Sequence, residues 1–231
     1  MNTALLTIDD VSSKNTPALV DYLAEKGIKP LLFATGENVL RYYEEAKYAV
    51  KKGMIIGNHS FSHPAFSELT FEEGVLDIEK CEEVLDKLYA DCGVQRKYRP
   101  FRFPYGNKGG ENKEKYQEYL RQNGFHKLKD DHIPYPWWRQ AKLKDDIDTF
   151  WTFDFEEYKI RPGSGFTYDD IMKKMHNPNP EYGAALFSEN NRHFILMHDH
   201  NETEEMLPGY YRLFVEHLLE NGITFDEPEF L

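Results

Sequence analysis

Cysteine is nearly absent: the 231 residues include two, Cys81 and Cys92. Both fall in one helical pattern, where eleven positions at about 1.5 Å each hold them too far apart to pair. A disulfide scaffold is excluded, and two inert thiols suit a reducing compartment. Positive charge is also short, with 28 Lys and Arg against 40 Asp and Glu, a net charge of −12. That balance opposes contact with a phosphate backbone, and no basic stretch with interleaved aromatics offsets it, so no nucleic-acid partner is expected. No run of 18 apolar residues could cross a bilayer, so a soluble chain without a transmembrane segment is expected. The opening MNTALLTIDDV lacks a charged leader, an apolar signal core and a cleavage site. A cytoplasmic location is expected, with an exported mature form left open. Internal repeats and low-complexity tracts are missing too.

What is there begins with apolar material: 40% hydrophobic residues, including 16 Phe and 15 Tyr, suffice for a large core. Strand-like and helix-like segments alternate from end to end, the pattern of a parallel sheet with crossover helices. Strands are expected at 4–8, 31–34, 54–57, 98–103, 125–128, 149–154 and 194–197, with a short last one at 223–225. A helix capped by Thr16, with Pro17 in its first turn, is expected to close at Gly27. A second runs from 38 to 52, and Thr70 with Glu73 forms a capping box for a long helix to 91. Further helices are expected at 112–122, 167–176 and 203–221. The stretch 129–148, containing IPYPWW, reads as a long irregular loop. The expected fold is α/β, a distorted (β/α) barrel of seven or eight parallel strands in a single domain over residues 1–231. In such a barrel chemistry collects at the C-terminal ends of the strands. Asp9, Asp10, His59, His63, Arg102, Asp154 and His198 all follow or end expected strands, hence one face.

The spacing of His59 and His63 in HSFSH brings both imidazoles to one side through a helical turn or a tight loop. Ser60 follows the first histidine where a zinc protease has glutamate, so a general base must come from elsewhere. Asp9 and Asp10 supply it. Two adjacent carboxylates tolerate burial only if a cation neutralises at least one. One can complete a two-His, one-carboxylate site for a divalent ion, while the other accepts a proton from water.

TIDD, HSFSH, RFPYG, WTFDFEEY and LMHDH stand in the order and roughly at the spacing of the five motifs of the polysaccharide deacetylase (NodB-homology) family, carbohydrate esterase family four. The chain resembles that family over about residues 4–225. The resemblance implies a NodB-like barrel and a hydrolase that removes acetyl groups from N-acetylated sugars. It implies Asp9 as general base, and Asp10, His59 and His63 as ligands of one divalent ion, Zn²⁺ first, with Co²⁺, Ni²⁺ or Mn²⁺ as substitutes. It also implies Arg102 as partner of the base, a backbone N–H at Tyr105 in the oxyanion site, and Leu196 beside the acetyl methyl. His198 becomes the general acid, and Asp154 the carboxylate that keeps it protonated.

Two departures from the family pattern stand out. Val11 follows the first motif where glycine is usual, which implies a different turn after the ligand. Glu157-Tyr158 replaces the usual Asp-Trp, which changes the pocket wall next to Tyr158. Trp137 and Trp138 read either as a sugar-stacking platform or as buried loop anchors. His193, His200 and His217 read as surface or capping residues, and Glu156 and Glu157 as solvent-facing. The rival functions are an O-acetyl carbohydrate esterase, a non-haem iron enzyme using the same triad, and an inactive sugar-binding module.

Overall fold

A computed structural model describes residues 2–188 and 191–231. In chain order its strands and α-helices are β1 Asn2–Val11, α1 Thr16–Glu25, β2 Leu31–Ala34, α2 Gly36–Arg41, α3 Tyr43–Lys51, β3 Ile55–Asn58, α4 Phe71–Asp91, α5 Lys113–Gln122, α6 Pro136–Gln140, β4 Phe153–Asp154, α7 Tyr168–Met175, β5 Arg192–His198, α8 Asn201–Met206, α9 Tyr210–Glu220 and β6 Ile223–Phe225. All strand pairs are parallel, in the order β3-β2-β1-β5-β4. β1 lies at the centre, and its second edge is shared: β6 takes Asn2 to Ala4, and β2 takes Thr7 to Val11. Ala4 to Val11 are therefore buried without a break, as expected of a strand covered on both faces.

The ring closes through single contacts rather than further full strands. Phe101 forms one parallel bridge to Asn58. The Thr149 N–H then donates to the Phe101 carbonyl, and β4 pairs with β5. The strand expected at 98–103 is thus one bridge wide, because Pro100 and Pro104 lack the N–H groups a ladder needs. The strand expected at 125–128 also reduces to one bridge, antiparallel to Phe230. Its backbone is used by Arg99 and by the C-terminal segment. Among the described residues there are six strands, so the barrel is more open than seven or eight strands would make it.

Three expected helices differ in their ends. The helix expected over 38–52 breaks at Tyr42, whose carbonyl accepts the Ser12 hydroxyl. The helix expected over 203–221 breaks at Pro208-Gly209, with Gly209 left-handed at φ 71°. Thr16 lies inside α1 rather than at its cap. Its hydroxyl donates to Asp199 at 2.5 Å, and Ser13 does the same at 2.6 Å, which ties the end of β5 to the loop after β1. The capping box of Thr70 and Glu73 is present at the start of α4. Cys81 lies within α4 and Cys92 just past it, and neither is in a disulfide. No helix among the described residues is long and apolar enough to cross a membrane.

Candidate active site

Because the strands run parallel, their C-terminal ends share one rim, and a cavity of about 410 Å³ opens there. Asp9, Asp10, His59, His63, Tyr105, Trp151, Asp154, Tyr158, Leu196, His198 and His200 line it. Its floor is set at the end of β1. Asp10 itself takes the left-handed conformation, φ 61°, which aspartate tolerates better than most residues. Val11 is not left-handed. It is packed in the core at 1% exposure and pairs with Ala34 across a bulge in the β1–β2 register.

HSFSH forms a tight loop rather than a helical turn, with Ser60 and His63 at φ 64° and 58°. Asp77 on α4 holds its middle, accepting the Phe61 N–H at 2.7 Å and the Ser62 hydroxyl at 2.8 Å. Asn58 holds its start by accepting the Ser60 N–H at 2.7 Å. The His59 Nδ1 lies 2.8 Å from the Arg102 carbonyl. A carbonyl only accepts, so Nδ1 carries a proton and Nε2 is the nitrogen turned to the carboxylates, the one a metal would use. Asp10 Oδ1 is 3.4 Å from His63 Nε2 and 3.8 Å from His59 Nε2. Ligands around 2.0–2.1 Å from a tetrahedral ion stand about 3.3 Å apart, so these three donors fit such an ion with little adjustment. Burial, then the neighbouring His59, push the His63 pKa down to about 4, which leaves its imidazole neutral, as a ligand must be.

Asp9 is 2% exposed and divides its two oxygens between Arg102 and His59. Its Oδ1 accepts Arg102 Nη1 at 2.7 Å, and its Oδ2 lies 3.4 Å from His59 Nε2. Arg102 is fully buried and has partners all round: Thr7 Oγ1, the Thr149 and Phe150 carbonyls, and the face of Phe33. Its side chain therefore orients Asp9 while its carbonyl orients His59.

On the other wall, His198 ends β5, with Leu196 two residues earlier at 2% exposure. The carboxylate at its Nδ1 is Glu157, at 3.3 Å, and the same Glu157 oxygen accepts the His198 backbone N–H. Glu157 is fully buried, contrary to the solvent-facing position expected for it. Asp154 belongs to the same cluster, yet its Oδ1 is engaged by the Glu156 N–H at 2.8 Å. Glu156 is left-handed at φ 58°, and this turn sends Glu157 back into the site. Burial would lower the His198 pKa, but Glu157 first, then Asp154 and Asp10, raise it to about 10. The imidazole is cationic at neutral pH. Burial, followed by Glu157, raises the Asp154 pKa to about 6.

Tyr158 packs edge-on to His198 with ring centroids 4.8 Å apart, and Tyr105, 69% exposed, covers His63 at 4.5 Å. Trp151 stacks on Phe150 and lines the cavity, though no motif spacing singles it out. His200 stands at the N-cap of α8, one of the positions expected for it, but its side chain turns into the site instead of capping the helix: its Nε2 lies 2.8 Å from Asp10 Oδ2. His193 is fully buried, against Tyr135 and Thr152, whereas His217 pairs with the exposed His176.

The two tryptophans part company. Trp138 is a core anchor at 1% exposure, with Nε1 donating to Asp130 at 2.9 Å. Trp138→Ala is expected to cost about 3–5 kcal/mol of stability, read as a lower denaturant midpoint. Trp137 is half-buried, stacked on Tyr135, and lines a groove of about 650 Å³ that shares Trp151, Asp154 and Tyr158 with the cavity at the strand rim.

Comparison with known proteins gives the family and the fold. The polysaccharide deacetylase family model matches residues 1–128, which include Asp9, Asp10, His59, His63, Arg102 and Tyr105. A peptidoglycan-N-acetylglucosamine deacetylase of Bacillus cereus is 34% identical over 102 residues, 44% of this chain and 35% of that protein. Chitin deacetylase 1 of Cryptococcus neoformans is 38% identical over 102 residues, 44% of this chain and 21% of that protein. The matched stretch thus spans about a third or less of these relatives. The crystal structure of a polysaccharide deacetylase from Bacillus cereus superposes with a TM-score of 0.64 at 22% identity, covering 98% of this chain and 92% of that one, so the fold is shared. With more than half of its residues matched by the family model, this chain belongs to the polysaccharide deacetylase family.

Proposed function

We propose that the protein hydrolyses the acetamido group of an N-acetylated carbohydrate, consuming water and releasing acetate and a free amine. The observation that carries this reading is the pairing of two opposite proton-transfer groups in one cavity: Asp9, a carboxylate that accepts from the Arg102 guanidinium, and His198, held cationic by Glu157. Amide hydrolysis needs both, because water must lose a proton to attack and the amine nitrogen must gain one to leave. A non-haem iron oxygenase has no evident use for that pair.

Asp10, His59 and His63 would hold one divalent ion, Zn²⁺ first. Such an ion supplies polarisation of the acetyl carbonyl and a lower pKa for bound water. Asp9 accepts the proton of the attacking water. The N–H of Tyr105 stabilises the developing oxyanion, and Leu196 packs against the acetyl methyl. His198 then protonates the leaving nitrogen, with Glu157 and Asp154 holding it cationic until that moment. Tyr158 and Trp151 border the sugar, and Trp137 extends an aromatic wall toward the adjoining groove.

The test is acetate release from N-acetylglucosamine oligomers, peptidoglycan fragments and acetylated xylan, before and after chelation. The expected result is turnover of an N-acetylated substrate that chelation abolishes and Zn²⁺ restores, with the His59→Ala, His63→Ala double variant metal-free and inactive. Turnover unaffected by chelation, or confined to acetylated xylan, would refute the reading. Trp137→Ala is expected to raise KM about 10-fold with metal content unchanged, the mark of lost binding rather than lost chemistry. Unaltered kinetics on every oligomer would remove Trp137 from the substrate path.

A further inference from the structure

We propose that His200, anchored by Arg161, is a positioning residue of the metal site: it binds one oxygen of Asp10 and so commits the other to the divalent ion. The inference rests on the reading that Asp10, His59 and His63 hold such an ion. The two oxygens of Asp10 have different surroundings. Oδ1 faces the ligand histidines, at 3.4 Å from His63 and 3.8 Å from His59. Oδ2 faces away from them, 2.8 Å from His200 Nε2.

The proton on His200 can be placed from its other neighbour. Arg161 Nη2 lies 3.4 Å from His200 Nδ1. A guanidinium has donors only, so Nδ1 accepts, the ring N–H is on Nε2, and that N–H points at Asp10 Oδ2. A ring nitrogen carrying a proton cannot bind a metal at the same time, which separates His200 from the ligand set although its Nε2 is close to it. Arg161 is itself fixed, with Nη1 donating to the Ile160 carbonyl at 2.8 Å and to Thr203 Oγ1 at 3.1 Å, and Thr203 is fully buried on α8. At its backbone end Asp10 is held by Asn38, whose Nδ2 donates to the Asp10 carbonyl at 2.7 Å. Asp10 is thereby clamped at both ends, the backbone by the segment after β2 and the carboxylate by the segment after β5.

Without His200 the carboxylate is free to rotate or to present both oxygens. Partners of this kind, one bond removed from the ion, are typically worth 10–100-fold in metal affinity. The test measures the Zn²⁺ dissociation constant by competition with a chromophoric chelator, and the visible absorption of the Co²⁺-substituted protein, with thermal melts as a folding control. His200→Ala is expected to weaken Zn²⁺ binding by about 10–100-fold. His200→Gln, whose amide N–H reaches the same oxygen, is expected to recover most of that loss and to leave the Co²⁺ spectrum unchanged. Arg161→Met should weaken binding less than His200→Ala, because it frees the ring tautomer without removing the ring. If His200→Ala binds as tightly as the parent while His59→Ala loses the ion, the inference fails and the metal reading stands. If His200→Gln loses as much affinity as His200→Ala and the Co²⁺ bands change, His200 is a ligand and the inference fails. If His59→Ala also binds normally, the metal reading has failed and the inference with it.

Discussion

Asp9→Asn is expected to lower turnover by about 10² to 10⁴, the usual worth of a general base, while the divalent ion stays bound. Asparagine matches aspartate in shape, and its amide oxygen can still accept the Arg102 N–H now 2.7 Å from Asp9. What it lacks is basicity. The ion should be retained because Asp10, His59 and His63 keep their own supports: the Arg102 carbonyl for His59, Ser60 for the His63 backbone, and His200 for Asp10. Stability should fall as well, since the fully buried guanidinium of Arg102 loses its only counter-charge among its described partners. The measurement is kcat on an N-acetylated oligomer together with metal content, at a temperature where melts show the variant folded. Loss of the ion would make Asp9 a ligand, an outcome to which the 3.4 Å separation of Asp9 and His59 gives physical content.

Glu157→Gln is expected to move the alkaline limb of the pH–rate profile acidward by more than one pH unit, and to cut amide turnover at least 10-fold above that new limb. The parent limb should lie near the His198 value of about 10, somewhat lower with the ion bound, because a cation at Asp10 offsets the weakest of the three carboxylate contributions. Glutamine keeps the hydrogen bond to the ring but removes the charge that counts most after burial. The same change has a stability signature. His198 is raised in the folded state above its ordinary 6.5, so its contribution is complete below about pH 6.5 and is lost as pH rises toward 10. The parent should therefore lose stability over that window, and Glu157→Gln should lose less. A titration of the His198 ring by NMR, alongside amide and ester pH–rate profiles, separates the readings. An ester leaves without needing full protonation, so acetate release from an O-acetylated sugar should fall much less than from an N-acetylated one. An unmoved limb would show that Glu157 does not control His198.

How much of this was legible in the sequence depends on how local the determinant is. Asp9, Asp10, His59, His63, Arg102 and His198 could be found because each follows an apolar run, and parallel strands deliver the residues after such runs to one rim whatever the details of the crossovers. The capping box at Thr70 was legible for the same reason, being complete within four residues. Strand count was not. Whether 98–103 and 125–128 become full strands depends on partners distant in sequence, and the prolines at 100 and 104 allow little more than a bridge.

The orientation of side chains within a motif lay beyond the sequence too. Asp154 and Glu157 are both acidic and three positions apart, and only the left-handed turn at Glu156 decides that Asp154 caps the turn while Glu157 reaches His198. Trp137 and Trp138 are chemically identical neighbours, yet a one-turn helix buries the second beside Asp130 and leaves the first at the groove. His200 meets Asp10 across 190 residues, through a contact that exists only because β1 and β5 are adjacent in register. The chemistry of the site was carried by residue types at strand ends, which is a property of sequence. The assignment of partners among those residues was carried by single backbone turns and by strand adjacency, where a change in the sign of φ or one register step redirects a side chain by several ångströms.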